Sequence, residues 1–402
     1  MTFRNPLRGT RSAAALATVA ALTAACSSGA SSAPEVKPGG RSFTVAAAGD
    51  VLIHPELVDQ ATKDAKETGK GEAGLDFGPL LAGVKPVISK ADLAICHMET
   101  PVGKPKGPFE GAPEFLVPPQ VLTTLKDVGY DTCSTASNHT YDHGLAGVRR
   151  TVNTMEKAGL GHSGSSRTPE EAEQISIRDV NGVKVAHLSY SRESFLKPEP
   201  EKEKWAVNRI DTDRIRDAEA RARKKGAEVV ILSVHWGREN YNEPSVSQLQ
   251  LADRLTAETG IDLVIGHHSH VVQPIQKVNG TWVAYSLGNQ VARHSSPTGL
   301  TEEGAIGWFE FRETTGGWDV SARYAPTLVD IPAEVEDGEE PPKGAALDHR
   351  VVDVRQVLEE PGDLSEERLA RYRLAADRTR GFLYNRGAPG GDGLKELALE
   401  RD

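Results

Sequence analysis

Thr135-Ala136-Ser137-Asn138-His139-Thr140-Tyr141-Asp142-His143-Gly144 follows a short β-type run, Tyr130 to Ser134. It precedes a segment in which Leu145, Val148, Val152 and Met155 recur at helical spacing. An Asn-His pair between a strand and a helix puts an amide oxygen and an imidazole at the carboxyl end of a sheet. Open α/β sheets bind their ligands there. Asn and His are also side chains that a borderline divalent cation accepts beside carboxylates. Alone the pair says little.

Four other strand ends carry similar groups. They are Gly49-Asp50-Val51-Leu52-Ile53-His54, His97-Met98-Glu99, His235-Trp236-Gly237-Arg238-Glu239, and Gly266-His267-His268-Ser269-His270-Val271-Val272-Gln273. His54, His97, His139, His235, His267, His268 and His270 make seven of the twelve histidines. Core packing does not explain that bias, because an imidazole gains little from burial without partners. A mix of Asp, Glu, Asn and His suits Mn, Fe or Zn, whereas an all-oxygen set favours Ca or Mg.

The chain between these blocks alternates. Phe43 to Ala48, Ala91 to Cys96, Val183 to Tyr190, Val229 to Val234 and Leu263 to Ile265 read as apolar strands. Helical spacing falls at Pro79 to Ser89, Val121 to Val128, Ile215 to Ala222 and Val246 to Ala257. That alternation predicts parallel α/β units. Trp282 to Ser286, Gly307 to Phe311 and Trp318 to Ala325 read as sequential strands with hairpin-type connections, an antiparallel part or a second sheet. Lys63 to Gly74 reads as a polar surface excursion, and Pro101 to Pro119 as a long loop of the kind that covers sites. Beyond Asp330 the composition turns Glu/Pro/Gly-rich, with one charged helix over Leu364 to Phe382 and then a mobile tail.

Bulk properties narrow the classes. The 402 residues carry a formal charge of −10 with no long basic block, which disfavours nucleic acid as a partner. Three cysteines are too few for a disulfide framework. Arg4, Arg8 and Arg11 precede an apolar run from Ala13 to Ala25, then Cys26, which describes an export signal too short to span as a mature helix. Cys26 after Ala24-Ala25 resembles a bacterial lipobox, although Thr23 stands where Leu is usual. The expectation is a lipid on Cys26 that anchors the chain to the outer face of the cell membrane. The division expected is 1–25 signal peptide, 26–42 flexible tether, 43–331 folded domain and 332–402 charged, partly helical extension.

Taken in order, the five blocks resemble the CapA family, named for poly-γ-glutamate capsule synthesis, within the calcineurin-like metallophosphatase superfamily. The resemblance runs from about Phe43 to Asp330. It implies an α/β fold, a four-layer α/β/β/α sandwich of two mixed sheets flanked by helices. It implies one or two divalent ions, a phosphate-containing substrate or an anionic envelope polymer, and a membrane polymer-synthase complex as partner. By resemblance Asp50 bridges the ions, Glu99 holds one and Asn138 the other. His139 donates to a phosphate or leaving oxygen, and His235 with His268 and His270 completes the sites. The superfamily's usual Asp-x-His is absent: the nearest imidazole, His54, lies four residues on. Glu99 stands where many phosphatases have Asp, and His97 replaces the Asn common in CapA proteins. A non-catalytic assembly or binding component of an export complex is the competing reading, and a solute-binding lipoprotein a weaker third.

Some residues read in two ways. Asp142 is placed as N-cap of a helix starting at His143 or Gly144, ahead of an orienting bond to a site histidine. His143 is read as exposed, and His267 equally as packing residue or ligand. Trp236 reads as core. Arg238 and Glu239 either meet a charged substrate or pair with each other. Arg192 and Glu193 read as a surface ion pair at least as readily as cleft residues. Cys96 and Cys133 close neighbouring strands by the family topology, and free buried thiols are favoured over a disulfide there.

Overall fold

The computed structural model describes residues 37, 39–192, 194, 196–294, 298–333, 340–386 and 393–398. Cys26, the export signal, most of the tether and Glu193 lie outside the described residues. In chain order the strands are β1 Ser42–Val51, β2 Leu93–Met98, β3 Thr132–Ser134, β4 Gly161–Ser163, β5 Ser176–Val180, β6 Val183–Ser191, β7 Val229–His235 and β8 Leu263–His267. They continue with β9 Ile275–Val278, β10 Thr281–Ala284, β11 Asn289–Val291, β12 Glu303–Thr314, β13 Gly317–Asp330, β14 Arg350–Asp353 and β15 Lys395–Glu396.

Two mixed sheets result. One has the order β14-β13-β12-β1-β2-β3-β4, with β11 on β1 and β15 on β13; the other runs β5-β6-β7-β8-β10-β9. Strand periodicity explains the layering, since successive side chains point to opposite faces. In β1, Phe43, Val45 and Ala47 enter the core between the sheets, with Val229 and Ile231 of β7 and Leu263 and Ile265 of β8. Ala46 and Ala48 face the other way, onto Val121, Leu122 and Leu125 of the helix Gln120–Val128. Val230, Leu232 and Val264 likewise turn outward, onto Ile215 and Ala218 of the helix Thr212–Lys224 and Leu255 of Val246–Glu258. Both sheets are buried on both faces, and the architecture is the expected α/β/β/α sandwich. Among the described residues no helix is long and apolar enough to cross a membrane.

Four expectations change. Lys63 to Thr68 belongs to a helix, Pro55–Thr68, opened by proline in its first turn and closed by Gly69 at φ 66. Its charged residues hid the buried stripe of Leu57, Ala61 and Ala65. Trp282 to Ser286 and Gly307 to Phe311 are not hairpin neighbours, because β10 lies in the second sheet beside β8 and β9 while β12 pairs β1 and β13. Residues 393–398 are not a free tail: β15 pairs β13, and Leu394 and Leu397 are buried. Cys96 and Cys133 form a disulfide, because parallel register places them directly opposite with Cα atoms 4.4 Å apart.

The disulfide closes a 37-residue separation between β2 and β3. Replacing Cys133 by Ser is expected to lower unfolding stability by about 3–4 kcal/mol on the chain-entropy account. Urea melts of wild type and variant, each with and without reductant, check this. Identical midpoints for the oxidised wild type and the variant contradict it.

Candidate metal centre

Asp50, His97, Glu99, Asn138, His139, His235 and the His267–His270 turn all lie at carboxyl ends of parallel strands or just beyond. Register brings them together. β1 pairs β2 with Asp50 opposite His97, and β7 pairs β8 with His235 opposite His267. The two sheets then face each other, so groups distant in sequence meet across the inter-sheet core. His267 Nδ1 lies 3.1 Å from Asp50 Oδ1, and His97 Nε2 lies 3.0 Å from His235 Nδ1.

Two glycines make the close approach possible. A Cβ on Gly49 would stand 2.1 Å from the Gly288 carbonyl, and one on Gly266 would stand 2.0 Å from that of Tyr285. Each precedes a site residue directly. After β8 the backbone turns sharply, with His268 at φ 92 and His270 at φ 56. Non-glycine residues hold such angles only where the surroundings enforce them, commonly at functional sites. Here the His268 N–H donates to Asp50 Oδ2 at 3.1 Å, and His270 Nδ1 sits 3.2 Å from the same oxygen and 3.0 Å from Asn289 Oδ1.

Several sets of ligand atoms converge: Asp50 with His97 and His267, Glu99 with His235 and His268, Asp50 with Glu99 and His270, and Glu239 with His268 and His270. Asn138 Oδ1 is 2.7 Å from His235 Nε2. Glu99 is fully buried, yet neither of its carboxylate oxygens has a hydrogen-bond partner; His267 Nε2 and His268 Nδ1 are orphaned in the same way. Leaving such atoms unpaired in a core is costly, so a group that accepts lone pairs fits this donor set. The nitrogen, carboxylate and amide mixture suits a Mn, Fe or Zn ion.

Protonation supports the same fit. Burial drives His97 and His235 well below the ordinary imidazole value and His268 down to about 3, so all three are neutral. Burial raises Asp50, but bonds from His267 and His270 outweigh it and hold the carboxyl well below its usual range. Burial pushes Glu99 up to about 7. His270, which burial would lower, is instead pushed up to about 10 by Glu99 and Asp50. Near neutrality the pocket therefore carries a proton on His270 and a partly protonated Glu99. An ion bound through these groups displaces those protons, so at pH 7 roughly one to two are expected to be released per ion. Affinity accordingly rises with pH until about pH 10. Calorimetry in two buffers of different ionisation enthalpy gives the count, and a value near zero contradicts the assignment.

The remaining candidates sort clearly. Asp142 does not cap the helix Gly144–Lys157, whose cap position is taken by His143 without a side-chain bond. Asp142 turns back to accept from His139 Nδ1 at 2.7 Å and from the Phe115 N–H at 2.9 Å. A three-residue turn before the helix made that reach possible. Burial lowers His139, but the Asp142 bond outweighs it and the imidazole is raised. His143 is half-buried rather than simply exposed and lies 3.4 Å from Glu110. His54 belongs to none of the ligand sets: its Nδ1 lies 3.1 Å from both the Leu52 carbonyl and the Arg293 N–H, and its ring packs on Phe115 and His294.

His97 takes the place beside Asp50 instead, with its ring stacked 4.1 Å from His267 and Nδ1 held by Ser134 Oγ at 2.8 Å. Sequence reasoning passed over His97 as a ligand, because only the strand register sets it opposite Asp50. It also missed Asn289, which has no neighbouring motif. His267 is a ligand candidate, not mere packing. Trp236 is core, donating to the Tyr285 carbonyl at 2.9 Å. Arg238 stacks on Tyr241 at 4.2 Å rather than pairing with Glu239, and Glu239 stands 4.0 Å from His268 Nε2. Arg192 faces the cleft, its Nη1 3.3 Å from that same nitrogen and 2.8 Å from the Gly237 carbonyl. A further group, Glu156, His162 and Glu171, is already spanned by the Arg167 guanidinium.

With this geometry in view, residues 44–294 match the family described as bacterial capsule synthesis protein PGA_cap. The chain belongs to that family. Among curated relatives, PGA biosynthesis protein CapA of Bacillus subtilis is 32% identical over 211 residues, covering 52% of this chain and 55% of its own. Capsule biosynthesis protein CapA of Bacillus anthracis is 28% identical over 233 residues, 57% and 54% respectively. The chain thus spans about half the length of the curated relatives it matches. Among solved structures, the calcineurin-like phosphoesterase YfkN of Bacillus subtilis aligns at TM-score 0.38 and 15% identity over 86% of this chain and 98% of that one. A likeness at that level carries no argument about chemistry.

Proposed function

We propose that this PGA_cap chain acts in making, exporting or anchoring an anionic envelope polymer of the poly-γ-glutamate kind, through a metal-dependent hydrolase-type site. The observation that supports it most is the buried Glu99 carboxylate beside Asp50 and His270, which has no hydrogen-bond partner, as His267 Nε2 and His268 Nδ1 also have none. A divalent ion held by Asp50, Glu99, His270 and their neighbours would supply positive charge to polarise a phosphoryl or acyl oxygen and to acidify a water. The chain's own part is proton handling and positioning. Asp142 fixes the His139 tautomer through Nδ1, leaving Nε2 as the nitrogen that donates to a leaving oxygen. Asn138, next in sequence, adds an amide to steady developing charge. Arg192 offers a guanidinium beside His268 where an anionic group would rest.

The same proposal holds the chain at the outer face of the cell membrane through a lipid on Cys26, near a polymer-synthase complex. The basic head, apolar run and cysteine of the first 26 residues support this.

Polymer output from cells that lack the gene, complemented with wild type or Asp50→Ala, tests the function. Restoration by wild type alone is expected, and full restoration by the variant removes the site from the function. Purified wild type assayed on phosphodiester and monoester substrates with added Mn separates chemistry from binding. Turnover abolished by His139→Ala is expected; polymer output that depends on Asp50 without any turnover favours the binding role.

A further inference from the structure

The helix Pro55–Thr68 starts one residue after His54, whose ring packs on Phe115 of the long loop from Pro101 to Pro119. The same loop crosses the helix start, since a Cβ on Gly111 would stand 3.0 Å from the Pro55 ring. Further along, helix and loop separate to form a groove of ≈ 740 Å³. Its floor is apolar, from Val58, Leu75 and Phe109, and its rim carries Lys66, Lys70 and Lys106. Among the described residues no acidic one lines it. The three lysines are exposed, and among the described residues none of their ammonium groups has a hydrogen-bond or ion-pair partner. In a chain of net charge −10 the three lysines gather uncommitted positive charge on one rim.

An occupant must satisfy both features, with carboxylates or phosphates spaced for the rim and aliphatic carbon for the floor. A γ-linked glutamyl chain has that make-up. Each unit puts two methylenes in the main chain and leaves one free carboxylate beside it. From Val58 to Lys66 the helix runs about 12 Å at 1.5 Å per residue, the length of about two extended units of this kind. A membrane surface fits less well. Interfacial binding needs apolar side chains that project, whereas Leu75 is 6% exposed and Val58 and Phe109 are half-buried. Among the described residues the large exposed apolar ones, Leu196, Tyr241, Val246, Leu347 and Leu374, all lie outside the groove.

We propose that this groove is a polymer-binding subsite, which grips an aliphatic polyanion of the γ-glutamyl class as it runs to or from the metal centre. The inference rests on the polymer reading above but on different residues, so the two can fail separately. The test uses the full chain and fluorescent poly-γ-glutamate of defined length, with binding followed by anisotropy at low and moderate salt. The triple variant Lys66→Ala/Lys70→Ala/Lys106→Ala is expected to bind at least about tenfold more weakly, and the loss should shrink as salt screens the wild-type contacts. Phosphoester turnover and ion content should not change, and Asp50→Ala should keep the groove's affinity. Equal binding by wild type and triple variant, or no binding by wild type, overturns the subsite. Loss of affinity for anionic lipid vesicles with polymer binding intact also overturns it and makes the face a membrane contact. Complementation with Asp50→Ala reports on the metal centre's role whichever way the groove experiment falls.

Discussion

Asp50→Ala is expected to lower the affinity for a divalent ion by at least about 100-fold and to abolish turnover. Loss of an outer residue that only orients a ligand costs 10–100-fold, and Asp50 contributes to two of the converging ligand sets at once. It also fixes the turn that carries the other ligands, accepting from His267 Nδ1, the His268 N–H and His270 Nδ1 at 3.1, 3.1 and 3.2 Å. Removing one partner of a buried ion pair is costly in itself, about 3–5 kcal/mol, because the other charge remains. His270 keeps Glu99 as a neighbour at 3.8 Å, which places the expected stability loss at the lower end of that range. Asp50→Asn retains volume and one acceptor and should fold better while still failing to hold the ion. Elemental analysis beside urea melts separates the two effects. Full ion content in both variants defeats the assignment of Asp50.

His139→Ala should have the opposite signature: turnover down by roughly 10²–10⁴-fold with ion content unchanged, the size expected of a lost general acid. Its imidazole stands outside the four ligand sets, held by Asp142 at 2.7 Å. Asp142→Asn should cost a smaller 10–100-fold and move the pH profile. The direction follows from the bond. The Asp142 carboxylate raises His139, so neutralising it lowers that imidazole, and the limb that depends on protonated His139 falls at a lower pH than in wild type. Phe115 supplies a control: its N–H steadies Asp142 and its ring packs 5.0 Å from His139, so its side chain affects packing without changing the proton. A His139→Ala protein that turns over at the wild-type rate leaves the site with no acid of its own.

The sandwich and most of the centre were legible because both rest on periodicity and on strand ends. Val45 and Ala46 face opposite cores as alternation requires, and Asp50, Glu99, Asn138, His235 and His268 were already marked as chemically odd endings of apolar runs. Pairing register was not legible. Only the β1–β2 register makes His97 the neighbour of Asp50 in place of the distant His54, and only the β2–β3 register sets Cys96 against Cys133. Local context misled at Asp142, where a cap and an orienting acceptor look alike until the loop carrying Phe115 is placed. It misled again at Lys63 to Thr68, where surface charge masked a helix that buries one narrow stripe.

Crystals grown with Mn and measured at an anomalous edge test the metal centre most directly. An anomalous peak enclosed by Asp50, Glu99 and His270, at near-full occupancy and lost in Asp50→Ala, is the predicted result. No peak there in a protein with its fold intact, or a peak only beside Glu156, His162 and Glu171, would contradict it.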